Sequence, residues 1–161
     1  MPKTALVLSG GGAKGAFQFA AETYAREIKG FQWDIIAGIS VGALNGTMLA
    51  MERYDRLEYI WRTITAEQVY TGRLSFWTLL KMLFGARSAY GNHPLWEMMQ
   101  QEIDPSQIRA DLRIGAVSLR SGQYVRYGPQ DPGFMEALLA STAIPLAFEP
   151  VNVPPDQMDM V

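Results

Sequence analysis

The sequence predicts an α/β protein, a three-layer α/β/α sandwich around a mainly parallel central sheet. Two observations carry that class. Residues 4–8 and 33–39 are apolar, partly β-branched runs without alternation, the pattern of strands covered on both faces. Each run leads into a glycine-flanked junction and then a stretch of good helix formers. The opening of the chain therefore spells strand, glycine loop, helix, strand, sharp turn, helix.

Taken in order, Thr4 to Leu8 is the first strand, and Gly10 to Gly15 breaks it. A helix follows over Ala16 to Lys29, with Phe17, Ala20, Ala21, Tyr24 and Ile28 at spacings of three and four and Gly30 as its stop. Trp33 to Ile39 is the second strand, and Val41 to Met51 is an apolar, small-residue helix suited to an interior. Helices are expected over Asp55 to Ile64, Ser75 to Phe84 and Pro94 to Ile103, the last capped by Asn92 with Pro94 in its first turn. Arg113 to Leu119 returns to a strand, Ser121-Gly122 turns it, and Tyr124 to Tyr127 pairs back. Pro132 to Thr142 is a final helix that stops before Pro145. The rest, Phe148 to Val161, is punctuated by prolines. No repeat, linker or shift in composition divides the chain, so residues 1–161 read as a single domain.

Composition removes whole classes of function. The chain has 161 residues, 48% of them hydrophobic, long enough for a core without staples. With no cysteine, thiolate metal sites, disulfides and cysteine nucleophiles are excluded. The single histidine, His93, removes mechanisms that need two imidazoles. A formal net charge of -2 with no basic run argues against nucleic acid as a partner. No apolar stretch reaches the ~20 residues of a membrane span, and the N-terminal run is shorter than a secretory signal core. The cytoplasm is the default expectation.

Two constellations carry chemistry. Gly38-Ile39-Ser40-Val41-Gly42 fits G-x-S-x-G between a predicted strand and a predicted helix. Glycines on both sides let the backbone turn sharply and hold the serine hydroxyl out at a helix N-terminus, where unpaired amides await an anion. The plain alternative is a serine N-cap between small residues. The second constellation is Gly10-Gly11-Gly12-Ala13-Lys14-Gly15, whose consecutive glycines free several N–H groups to point one way, as an oxyanion hole or a phosphate cradle requires. Gly10, Gly12 and Gly15 also satisfy G-x-G-x-x-G. A dinucleotide site, however, expects an acidic residue at the end of the second strand, where Gly38-Ile39-Ser40 stands instead. The P-loop pattern fails as well, because Gly15 follows Lys14.

Together with Leu139-Ala140-Ser141-Thr142-Ala143-Ile144-Pro145, Phe148 and Pro150, these blocks resemble the patatin-like acyl hydrolases, over nearly the whole chain. The resemblance implies a patatin-like fold and a serine–aspartate dyad that cleaves lipid esters without metal or cofactor. Ser40 would be its nucleophile, Gly10 to Gly15 the oxyanion loop, and Gly38, Ile39, Val41 and Gly42 the nucleophile elbow. Its partners would be a lipid or ester substrate and, transiently, a membrane surface. One departure stands out. The family's aspartate sits in an Asp-Gly turn shortly after the Ile-Pro block, and this sequence has no Asp-Gly pair. The expectation is a domain incomplete at its C-terminus, ending at or just before that aspartate, with Asp156 or Asp159 as the alternative base.

Other residues carry paired readings. His93 is a surface or capping residue unless it makes a serine triad. Lys14 holds an anionic head group or steadies the glycine loop. Leu74 to Phe84 packs into the core or forms a lid at a lipid surface. Met82, Met98 and Met99 line an acyl-chain wall or fill the core. The competing functions are a nucleotide-binding module built on Gly10 to Gly15 and a catalytically silent lipid-binding relative.

Overall fold

The computed structural model describes residues 2–70, 91–144, 148–154 and 158–161. The expected helix over Leu74 to Phe84, with Met82, lies outside the described residues.

Three short strands make the parallel part of the central sheet: β1 (Ala5–Leu8), β2 (Ile35–Gly38) and β3 (Asp111–Val117). They stand in the order β1-β2-β3-β4, with β4 (Tyr124–Tyr127) antiparallel on β3. In register, Leu8 pairs with Gly38 and Gly38 with Ile114, so β1 and β2 end level while β3 runs three residues further, to Val117. Helix α1 (Gly15–Thr23) joins β1 to β2, and α2 (Val41–Ala50) leaves β2 after a two-residue turn. Then come α3 (Tyr54–Thr63), α4 (His93–Glu102) and, after β4, α5 (Phe134–Thr142). A small antiparallel pair, β5 (Val151–Val153) and β6 (Met158–Met160), ends the described chain. The fold is α/β with a mainly parallel sheet flanked by helices, as the sequence predicts.

Helix α2 crosses all three parallel strands because it is almost all small or apolar. Gly46 lets it settle on the sheet: a Cβ there would stand 3.0 Å from Ile36 Cγ2. Beneath it Ile36, Leu112 and Ile114 are fully buried, each of them worth about 1.5–3 kcal/mol in removed apolar surface. On the opposite face of the sheet Val7 is 76% exposed and Asp111 pairs with Arg113 at the surface.

Two local expectations change. The helix after the glycine loop is α-helical only to Thr23 and continues as a π-turn over Tyr24–Ile28, which Gly30 closes at φ 72°. Its apolar stripe also faces outward: Phe17 is 77% and Ile28 66% exposed, while Gly15, Phe19 and Glu22 are buried. The cause is Gly15, pressed so closely on Val41 and Trp61 that a Cβ would stand 2.5 Å from either side chain. That contact fixes the helix's rotation, and Glu22 is accommodated inside by Arg26 and the Trp33 indole, both bonded to its Oε1. Asn92 does occupy the N-cap of α4, with Pro94 in the first turn, but its side chain makes no capping hydrogen bond.

Candidate functional site

Ser40 lies in the turn between β2 and α2 with φ 55° and ψ -131°. Among the described residues only Glu52 is a second non-glycine with positive φ. Such a conformation costs about 1–3 kcal/mol and persists only where its surroundings impose it. Here they do so by close approach of backbone to backbone. A Cβ on Gly38 would overlap the Gly42 main chain, and one on Gly42 would stand 2.6 Å from the Ser9 carbonyl oxygen. Both glycines let α2 start directly over the ends of β1 and β2. The Ser40 carbonyl already accepts from Ala43 N–H at 2.9 Å, while its own N–H donates to Ser141 Oγ at 2.8 Å.

The glycine segment runs beside this turn. A Cβ on Gly10 would come within 3.3 Å of Ser40 Cβ and 3.8 Å of its Oγ, so a side chain here would press on Ser40 by a few tenths of an ångström. Gly12 takes φ 54°, and Gly12–Lys14 closes as a 3₁₀ turn with Lys14 N–H donating to the Gly11 carbonyl at 3.1 Å. Both ends of the segment are tied down. Gln18 Nε2 donates to the Ser9 carbonyl at 2.6 Å, and Asn45 Nδ2 to the Gly15 carbonyl at 2.9 Å. Asn45 is 1% exposed, and its Oδ1 accepts from the Trp61 indole N–H at 2.9 Å. Lys14 is exposed, with its side chain folded near Gly11.

Ser40 and Gly11, Gly12 and Ala13 open onto one cavity of about 640 Å³. From there the cavity follows one face of α2 through Val41, Leu44, Asn45 and Met48, the i, i+3, i+4, i+7 spacing of a single helical stripe. Met98 and Met99 also line it, Met99 as a member of the hydrophobic core at 2% exposure. Gly10, Lys14, Gly15, Gly38, Ile39 and Gly42 shape the turn and loop without lining the cavity.

Neither His93 nor Asp159 lines this cavity. His93 is exposed, with Nδ1 3.6 Å from Glu97 Oε1, a surface position at the start of α4. Asp159 is exposed on β6, and Asp156 is outside the described residues. Among the described residues the acid that lines the cavity is Glu102. Arg56 donates to both of its carboxylate oxygens and holds the group below the usual carboxylate range, against the opposing effect of burial.

Three residues that sequence reasoning gave no role belong to the site: Asn45, Trp61 and Ser141. The available signal was polarity in the wrong place, since Asn45 interrupts an otherwise apolar helix one turn after Ser40.

The family model for patatin-like phospholipases matches residues 6–159. The chain belongs to that family. Membership spans both glycine junctions and the Leu139 to Pro150 block. A chain of the heterodimeric complex ExoU-SpcU from the type III secretion system of Pseudomonas aeruginosa is similar at 19% identity with a TM-score of 0.46. The match covers 89% of this chain and 36% of that one, so this chain spans about a third of its length. No curated protein matches. Among the described residues of this patatin-like chain, no helix is long and apolar enough to cross a membrane. Nor do three or more His, Asp or Glu side chains gather there as a metal site would require.

Proposed function

We propose that the chain carries the nucleophile and oxyanion loop of a serine acyl hydrolase acting on carboxylic esters of lipids. The observation that carries this reading is Ser40, held in a strained turn between two obligatory glycines where an apolar cavity meets the glycine loop. Ser40 acts as the nucleophile of an elbow formed with Gly38, Ile39, Val41 and Gly42. Its Oγ bonds to the ester carbonyl carbon as its proton passes to a carboxylate. The amides of Gly11, Gly12 and Ala13 receive the oxyanion. The carbonyl re-forms, the alcohol leaves with a proton, and water then releases the fatty acid from Ser40.

In this proposal the carboxylate belongs to an aspartate following Val161. Strand register supports that position. Asp159 and Val161 bond to Leu119 and Val117 on the edge of β3 that faces β2, because β4 occupies the other edge. Gly38 pairs with Ile114 on that same edge, so a chain continuing past Val161 runs toward the turn that holds Ser40. Lys14, exposed beside the loop, is placed to attract an anionic head group. A nucleotide site fits less well, since the loop opens onto an apolar cavity and Ser40 stands where a ribose-binding acid is expected.

The test is labelling of the full-length protein by a fluorophosphonate together with hydrolysis of p-nitrophenyl esters. Both are expected, and Ser40→Ala abolishes both. Turnover that survives Ser40→Ala overturns the reading. Fatty-acid binding without labelling favours the silent relative, and a thermal shift with adenine nucleotides alone favours the nucleotide module.

A further inference from the structure

A one-way chain of side-chain hydrogen bonds runs from the cavity wall to the start of the glycine loop. It begins at Trp61 on α3, whose indole N–H donates to Asn45 Oδ1 at 2.9 Å. Asn45 Nδ2 donates to the Gly15 carbonyl at 2.9 Å and to Gln18 Oε1 at 3.4 Å. Gln18 Nε2 in turn donates to the Ser9 carbonyl at 2.6 Å. An indole N–H can only donate, so it fixes which end of the Asn45 amide faces the loop, and Asn45 then fixes the Gln18 amide. Both ends of the Gly10 to Gly15 segment are thus oriented from one indole.

The same indole touches both the loop and the cavity. A Cβ on Gly15 would stand 2.5 Å from Trp61 Cζ2, so the ring sits against the last residue of the loop. Trp61 and Asn45 also line the cavity onto which Ser40 and Gly11, Gly12 and Ala13 open. An acyl chain that fills this cavity packs on the groups that orient the loop. Gln18 does not line the cavity, so it can act on a substrate only through the backbone it holds. At that end the Ser9 carbonyl lies against the elbow, where a Cβ on Gly42 would stand 2.6 Å from its oxygen.

We infer that Trp61 is a positioning residue through which the glycine loop senses the acyl group. A chain filling the cavity steadies the ring, the ring steadies the Asn45 and Gln18 amides, and these hold the two ends of the loop that carries Gly11, Gly12 and Ala13. The inference rests on the acyl-hydrolase reading and adds a specificity to it: esters whose acyl chain fills the cavity are preferred, and the preference is expressed in kcat. Binding energy gained away from the ester carbonyl is thereby used in the transition state, so truncated esters lose turnover as well as affinity.

The experiment measures kcat and KM separately on p-nitrophenyl acetate, butyrate and octanoate for the full-length wild type, Trp61→Phe and Gln18→Ala. Wild-type kcat should rise about tenfold from acetate to octanoate, the scale of a small misplacement of oxyanion donors. Trp61→Phe keeps a ring but loses the donor, so the octanoate-to-acetate ratio of kcat should fall to near unity while KM still falls with chain length. Gln18→Ala leaves the Gly15 bond in place and should lower the ratio part-way, and it reads the relay should Trp61→Phe fold poorly. A wild-type kcat that ignores chain length, or a ratio that stays constant across the folded variants, overturns the inference. Amide exchange reads the same coupling without turnover: decanoic acid should slow exchange across Gly10 to Gly15 in wild type and not in Trp61→Phe. Absent hydrolysis with that protection present overturns the hydrolase reading alone, and hydrolysis without it overturns the relay alone.

Discussion

The backbone N–H of Ser40 donates to the hydroxyl of Ser141 across 101 residues of sequence. This N–H belongs neither to the β2 ladder nor to the α2 ladder, and the strained φ of Ser40 turns it toward α5. Ser141 is 8% exposed in the last turn of that helix. One hydroxyl thus joins the Leu139 to Pro145 block to the Gly38 to Gly42 turn and helps hold a conformation that serine does not prefer.

Replacing Ser141 with Ala should therefore act on orientation more than on binding. Losing this part-buried bond costs about 1 kcal/mol, seen as lower stability in urea. On the acyl-hydrolase reading, kcat should fall about tenfold or more with KM nearly unchanged, and Ser141→Thr should recover most of it. Equal loss in Ala and Thr, or a change confined to KM, would show that Ser141 only packs.

Strain at Ser40 predicts that a residue without a Cβ is more stable there than one with it. Glycine adopts φ 55° without penalty and alanine does not, so Ser40→Gly should be more stable than Ser40→Ala by about 1–2 kcal/mol. Neither should react with a fluorophosphonate. Thermal unfolding of the pair decides it, and identical melting temperatures would mean that the turn stores no strain.

The readable part of this site is its backbone. Gly38 and Gly42 mark places where main chains pass too closely for a Cβ, and Gly15 one where side chains do, and such constraints appear directly as residue type. Helix orientation was not readable in the same way. Phe17, Tyr24 and Ile28 outweigh Gly15 and Glu22 in any count of apolar residues, yet the contact of Gly15 with Trp61 rotates α1 the other way. Ser141 stood in a recognised block, but Thr142 beside it bonds the Leu139 carbonyl, and only the end of α5 decides which hydroxyl meets Ser40. Asn45 was visible as a polar interruption, but its partners come from two separate helices, α1 and α3.

Those partners make Asn45 a test of loop positioning. Asn45→Ala removes the part-buried bond from the Trp61 indole N–H and the buried bond to the Gly15 carbonyl, a loss of about 1–3 kcal/mol in all. Its measurable consequence is a looser glycine loop. Amide hydrogen exchange across Gly10 to Gly15 should quicken, and fluorophosphonate labelling of Ser40 should slow. Exchange that quickens uniformly over α2 and α3 would point to general loosening.

Glu102 supplies the pH dependence. Its carboxyl is held below the usual carboxylate value, first by the hydrogen bonds from Arg56, while burial opposes the shift. A group with a depressed folded pKa contributes its stability above the unfolded value, about 4.3, and loses it as pH falls through the lower folded value. Wild type should thus exceed Glu102→Gln in stability at neutral pH. The gap should begin to close once pH drops below about 4.3 and vanish when Glu102 is protonated in both states. Urea unfolding of both proteins at stepped pH measures the gap, and a difference that stays constant down to pH 3 would show that the Arg56 contact contributes no net stability as an ion pair.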